Sequence, residues 1–241
     1  AMLLAKSGCS RFALVDPEDL KEDNVVRHLC GLNVLMETKK KVEAVRGALE
    51  EHLGYVSCDT QDKDVLEVLS TNPQAFDKAK LVILAIANMG AERRVNDLFR
   101  TERPRSIVYV WIEPLGVAGH VLYISPEEGG CYRCCFDQNG DFRFAVATKD
   151  NKLDRREAGC QQTFTPYGAA DLELFCSVAC KEILRLMEHA PETSRLSTWI
   201  GDKEQFVAAG HKINDSYAAH ESFGIYRREI ASHPSCPTCN Q

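Results

Sequence analysis

Apolar positions along this chain recur with two periods. Residues 12–15 form a short apolar run closed by Asp16. Residues 55–58, 106–112 and 119–125 are further runs rich in Val, Ile, Tyr and Trp, the composition of β-strands. Residues 81–87 are apolar without interruption, which predicts a strand buried on both faces. Residues 34–52 instead place Val34, Leu35, Val42, Val45 and Leu49 at roughly helical spacing, with Gly54 beyond the end. Residues 63–69 and 91–100 predict shorter helices, and residues 2–7 the end of a helix stopped by Gly8. Residues 169–187 are nearly all apolar and predict a long buried helix, while residues 223–230 alternate like a late strand. Residues 138–159 are polar and turn-rich, the pattern of a mobile loop. Strands alternating with helices predict βαβ units and a mostly parallel sheet, an α/β fold.

Composition narrows the function. A length of 241 residues suits one large domain or two small ones, and 44% hydrophobic with 27% charged residues is globular usage. A net charge of −6 argues against a general nucleic-acid binder, which needs a basic surface for phosphates. The longest apolar run has seven residues, against the roughly 20 needed to span a bilayer. Residues 2–5 are too short for a secretory leader and have no charged segment before them. The expectation is a cytoplasmic protein that binds neither membrane nor nucleic acid. Eleven cysteines change the picture. The number is odd and the chain is not a small secreted domain, so reduced thiols, some of them holding a metal, fit better than a disulfide framework.

Two C-x-x-C pairs carry the metal expectation: Cys131-Tyr132-Arg133-Cys134 and Cys236-Pro237-Thr238-Cys239. Each spacing lets two thiolates point at one ion, and two such knuckles complete a tetrahedral Cys₄ zinc site. Gly129-Gly130 and His233-Pro234 supply the turns that knuckles require. The 101 residues between Cys134 and Cys236 are too many for a zinc finger, so the fold must bring the knuckles together. The competing interpretation is two unrelated pairs, or one redox pair. With no open position, the zinc would stabilise the tail and do no chemistry.

Leu14-Val15-Asp16, then Asn24 and Arg27, then Lys41-Val42-Glu43-Ala44, together with both knuckles, make a set that resembles the ThiF/MoeB/ubiquitin-activating superfamily. The resemblance covers nearly the whole chain. It implies a Rossmann-like, doubly wound, mostly parallel sheet with a zinc-stabilised C-terminal part. Residues 1–130 would be the nucleotide-binding half, and residues 131–241 the half bearing the crossover loop, the thiol and the zinc. It implies ATP and Mg²⁺ as well as Zn²⁺. The activity implied is adenylation of the C-terminal carboxylate of a ubiquitin-like or sulfur-carrier protein, followed in many members by a thioester to an enzyme cysteine. On this resemblance Asp16 accepts hydrogen bonds from ribose hydroxyls, Asn24 orients phosphate or ribose, and Arg27 and Lys41 offset triphosphate charge. Lys40 competes with Lys41 for that role, in a run that also reads as a basic, exposed helix start.

Three features depart from the family pattern. No G-x-G-x-x-G phosphate loop is present, and the chain opens inside what should be the following helix, so its first strand is expected to be missing or supplied by another segment or chain, and ATP binding to be weak. Ala87 stands where the family carries an acid that helps hold magnesium; alanine cannot ligate a hard cation, and Asn88 is a weak substitute. Cys160 follows Glu157-Ala158-Gly159, where sulfur-carrier enzymes place a thiol before it. Cys160 lies beside Arg155 and Arg156, charges that favour its thiolate, and is the candidate thioester nucleophile. Cys9, Cys30, Cys58, Cys135, Cys176 and Cys180 read as packing residues. Residues 113–120 resemble a segment of bacterial activating proteins found with conjugating-enzyme-like and deubiquitinase-like partners; they read either as a lining for an incoming glycine-rich tail or as a plain turn, and His120 either as an acid–base group or as a polar strand start.

The favoured expectation is therefore an activating enzyme for a ubiquitin-like protein, recognised by its C-terminal tail, in a bacterial conjugation system linked to phage defence. A conjugating-enzyme-like partner and a homodimer are expected with it. The alternatives are sulfur-carrier activation for thiamine or molybdenum-cofactor synthesis, and a non-catalytic, zinc-stabilised binding module. An NAD(P) oxidoreductase is disfavoured by the knuckles and the Asn24/Arg27/Lys41 set.

Overall fold

The computed structural model describes residues 1–25, 28–37, 40–151, 155–156, 163–164 and 167–240, with backbone alone at 23, 155, 156, 163 and 164. The chain divides into two compact units, Ala1–Lys80 and Leu81–Gln241.

In the first unit, helix α1 (Met2–Lys6) leads into strand β1 (Arg11–Val15). The short helices α2 (Glu22–Val25) and α3 (Leu32–Glu37) follow, then α4 (Lys41–His52), β2 (Ser57–Gln61) and α5 (Val65–Thr71). β1 and β2 pair in parallel, Arg11 to Ser57 through Val15 to Gln61. Ala5, Leu49, Val56 and Cys58 form the core under this ribbon, and Leu20, Cys30 and Ala44 form a second cluster. Cys30 and Cys58 pack there as small apolar groups. The single helix expected over residues 34–52 is two helices: Lys40 is extended (φ −78°, ψ 125°) and starts α4 afresh. Asp64 caps α5 by accepting the Leu66 N–H at 2.8 Å.

The second unit opens with β3 (Val82–Leu84), helix α6 (Met89–Asp97) and a π-helical turn, Leu98–Glu102. β4 (Ile107–Ile112) and β5 (Ala118–Ile124) follow. β6 (Arg155–Arg156) and β7 (Thr163–Phe164) form a small antiparallel pair. The long α7 (Ala169–Glu188), β8 (Arg195–Ile200), α8 (Lys203–Ala208) and β9 (Ile225–Glu229) complete the unit. Five strands make one sheet in the order β3-β4-β5-β8-β9.

The α/β character is as expected, but among the described strand pairs only β1·β2 and β3·β4 are parallel; β4·β5, β5·β8, β8·β9 and β6·β7 run antiparallel. For β4·β5 the reason is connection length. β4 and β5 are joined by the turn at 113–117, in which Leu115 (φ 56°) and Gly116 (φ 67°) reverse the chain. A parallel crossover needs about a dozen residues or more.

Three other expectations change. β3 is only three residues long and Ile83 is 39% exposed, so the apolar run at 81–87 is not buried on both faces. α7 buries one face, with Phe175, Ala179, Cys180, Glu182 and Ile183, and leaves Leu174 half exposed. Residues 138–151, expected to be mobile, are tied down: Val146 is fully buried and Ala147 bridges to Ile213. β8 was not expected at all, yet it lies inside the sheet with Leu196 and Ile200 fully buried. No described helix is long and apolar enough to cross a membrane.

Candidate functional site

The first unit holds the candidate nucleotide residues around the end of β1. The Asp16 N–H donates to the Gln61 carbonyl at 3.1 Å, extending the ladder by one residue. This leaves the Asp16 carboxylate at the carboxyl edge of the strand pair, where α/β sheets place ligands. Its Oδ1 accepts the Glu18 N–H at 2.8 Å, which fixes the turn. Lys41, the first residue of α4, returns to the same turn. Its N–H donates to the Glu18 carbonyl at 3.1 Å, and its ammonium is paired with the Glu18 carboxylate. The structure thus brings Asp16 and Lys41 onto one turn. The competitor, Lys40, bonds Asp19 at 3.1 Å. Each cation is occupied by a carboxylate, which a phosphate would have to displace.

Asn24 is engaged separately: its Oδ1 accepts the Lys21 N–H at 3.1 Å. Arg27 lies outside the described residues. A residue missed by the motif reading stands nearby. His28 is pushed below its ordinary pKa, first by burial and then by the Lys41 ammonium, with the Asp16 carboxylate opposing. Its Nδ1 accepts the Cys30 N–H at 3.1 Å, so the neutral ring carries its proton on Nε2. Only its proximity to the Asp16 and Lys41 charges marks it out, and that needs the fold.

In the second unit, Ala87 adopts φ 50° in the loop after β3. Asn88, the substitute considered for the absent acid, is the N-cap of α6 and accepts the Ala91 N–H at 3.1 Å. Its side-chain oxygen is spent on the helix.

The two knuckles meet. Gly130 lies so close to the Ala231 carbonyl (2.3 Å from where a Cβ would stand) that only glycine fits, and the Gly130 N–H donates to the Ile230 carbonyl at 2.5 Å. This pairing sets the segment before Cys131 beside the tail that carries Cys236. The four thiols of Cys131, Cys134, Cys236 and Cys239 all lie within 4.8 Å of one another. Cys131 Sγ is 3.5 Å from Cys236 Sγ, and Cys134 Sγ 3.7 Å from Cys239 Sγ.

Four sulfurs at about 2.3 Å from one tetrahedral zinc stand roughly 3.8 Å apart, so the cluster fits that ion. The His233 N–H donates to Cys134 Sγ at 3.3 Å, a contact that stabilises a thiolate. Without a cation, two of the four thiols resist ionisation. Cys131 is pushed up to about 12 by the Cys134 thiol and by burial, and Cys239 to about 12 by burial and by Cys131. Only a cation would hold four thiolates here. Cys135 is fully buried next to them and its pKa is raised by that burial, so it is a packing residue.

Residues 113–120 are buried or half-buried. His120 is fully buried between Trp111 and Phe142. Its Nε2 lies 2.7 Å from Glu113 Oε1 and its Nδ1 3.1 Å from Thr198 Oγ1. Glu113 also accepts the N–H groups of Val146 (2.7 Å) and Ala147 (2.8 Å). The pair is an interior anchor for residues 146 and 147. Cys160, the candidate nucleophile, lies outside the described residues.

The same fold occurs in solved structures. E. coli MccB with MccA-N7isoASN matches with a TM-score of 0.65 at 11% identity, over 100% of this chain and 62% of that one. E. coli MccB with ATP matches at 0.60 and 13% identity, over 99% and 61%. PaaA matches at 0.55 and 14% identity, over 95% and 59%. The chain therefore spans about three-fifths of the length of the structures it resembles. No curated protein matches its sequence. A sequence model of the ThiF family matches residues 1–214 of the 241, and the chain belongs to that family.

Proposed function

We propose that this chain serves in ATP-dependent adenylation of a protein or peptide C-terminal carboxylate. The observation that carries the reading is the family match over residues 1–214. In the reaction, a carboxylate oxygen attacks the α-phosphorus of ATP, the bond to the β-phosphate oxygen breaks, and pyrophosphate leaves with its electrons. Asp16 would accept hydrogen bonds from the ribose hydroxyls at the strand edge. Lys41 would exchange Glu18 for triphosphate oxygens, with Arg27 adding charge and Asn24 orienting the nucleotide. Residues 1–130 form the nucleotide half and residues 131–241 the thiol and zinc half. Magnesium, when bound, neutralises triphosphate charge. Cys131, Cys134, Cys236 and Cys239 hold a structural zinc.

The finer reading is activation of a ubiquitin-like protein. The Cys160 thiolate attacks the acyl-adenylate carbonyl, AMP leaves, and a thioester remains, in a bacterial conjugation system linked to phage defence. A conjugating-enzyme-like partner, a homodimer and a cytoplasmic location belong to the same reading. Sulfur-carrier activation stops at the adenylate or uses a different thiol. A non-catalytic binding module is favoured by specific features: Ala87 at the acidic position, Asn88 committed to a helix cap, and Lys41 committed to Glu18.

The test is incubation with radiolabelled ATP and a panel of ubiquitin-like proteins, wild type against Cys160→Ala. Adenylate plus a reducible thioester lost in the variant supports the ubiquitin-like reading. Adenylate alone, unchanged in the variant, supports the sulfur-carrier one. Neither product, with no ATP–pyrophosphate exchange, leaves the binding module.

A further inference from the structure

One carboxylate touches both knuckles of the four-thiol cluster without contributing a ligand. Asp97 is the last residue of α6. Its Oδ1 accepts Arg133 Nε at 2.8 Å and its Oδ2 accepts Arg133 Nη2 at 2.6 Å, the planar fork geometry in which guanidinium binds carboxylate best. The same Oδ1 accepts the Thr238 hydroxyl at 2.6 Å. Arg133 lies between Cys131 and Cys134, and Thr238 between Cys236 and Cys239. The neighbouring Asn96, fully buried, adds a third hold: its Oδ1 accepts the Tyr132 N–H at 2.9 Å, and its Nδ2 donates to Asp97 at 3.2 Å. Higher on the helix, Glu92 accepts the Tyr132 hydroxyl at 2.5 Å.

We propose that the end of α6 is the template of the metal centre, with Asp97 as the positioning residue that sets the separation of the two knuckles. The inference rests on the zinc reading given above. The knuckles are far apart in sequence, so bringing them together costs chain entropy. A carboxylate that binds an intervening residue of each knuckle meets that cost before the ion arrives, and it touches no sulfur. Its role is comparable to that of the outer groups that orient metal ligands, whose loss lowers metal affinity about ten- to a hundred-fold.

The experiment measures zinc stoichiometry, affinity and release rate in the full chain, by competition with a chromophoric chelator, with circular dichroism to check the fold. One zinc per wild-type chain, with all four thiols of the cluster protected from alkylation, is expected. Asp97→Asn should weaken zinc binding about ten- to a hundred-fold and speed its release. Thr238→Val, nearly isosteric, should weaken it several-fold, and serves if Asp97→Asn does not fold. The effects should not add: once Arg133→Ala and Thr238→Val are both present, Asp97→Asn should change little more. Stoichiometric zinc in the wild type with affinity unchanged within two-fold in Asp97→Asn and Thr238→Val would overturn the template while leaving the metal centre. Full additivity would also overturn it. Absence of zinc binding by the wild-type chain would overturn both.

Discussion

Glu182 carries four hydrogen bonds on a carboxylate that is 5% exposed: Arg185 at 2.7 Å, Arg227 Nε and Nη2 at 2.9 and 2.6 Å, and Ser197 Oγ at 2.9 Å. Burial alone would raise its pKa, but the bonds from Arg227 and Ser197 outweigh burial and hold it below the ordinary 4.5. A carboxyl depressed in the folded state stabilises the protein above its unfolded pKa and loses that contribution as pH falls through the folded value. Glu182→Gln is therefore expected to cost about 2 kcal/mol at pH 7, on the scale of hydrogen bonds to a charged group. That cost should shrink as pH drops below about 4.5, measured by urea unfolding of wild type and variant across pH. Glu113 is a second buried side chain that gathers hydrogen bonds. Glu113→Ala would leave the Val146 and Ala147 N–H groups and His120 without their acceptor, and is expected to cost about 3 kcal/mol. Amide exchange at 146 and 147 should rise well above that of residues in β4; unchanged exchange there would remove Glu113 from its anchoring role.

At the scale of elements, the second unit is held by close approaches that only glycine allows. A Cβ on Gly201 would stand 2.0 Å from the Gly116 carbonyl oxygen, and a Cβ on Gly119 about 2.1 Å from the Phe175 ring. The first obstacle is backbone and cannot swing away, and Gly201 also donates to Val117 at 2.8 Å. Gly201→Ala is expected to destabilise by about 2 kcal/mol, as overpacking does, lowering Tm by roughly 4–8 °C at this size. An unchanged Tm would mean the 113–117 turn and the end of β8 yield freely. Most of these elements were readable in advance. β4, β5 and β9 follow from β-branched or alternating residues, and α7 from its length. β8 was not readable: Arg195, Ser197 and Thr198 are polar, and the buried Ser197 and Thr198 are accommodated because Ser197 meets Glu182 and Thr198 meets His120. Their partners lie 15 and 78 positions away, beyond any local pattern.

For the molecule as a whole, the four-thiol cluster proposed to hold zinc belongs to one of two units. Zinc removal by a strong chelator is expected to lower the thermal transition of residues 81–241 and to raise hydrogen exchange around 129–135 and 230–240, while exchange in residues 1–80 stays unchanged. A uniform loss of protection across both units would contradict confinement of the centre to the second.

What the sequence by itself determined is what short spacing can encode. A C-x-x-C pair presents two thiols to one point because its geometry is local, and an apolar run ending in Asp16 places that acid at a strand edge. Reading family and α/β class depended on several such local signals occurring in order. Only the tertiary structure decided that the sheet turns antiparallel after β4, that His120 is an interior anchor, that Lys41 is held by Glu18, and that Asp97 grips both knuckles. These depend on groups 7 to 141 positions apart or on a turn that reverses the chain. The pairing of distant polar groups follows from the whole packed core and leaves no periodic trace along the chain.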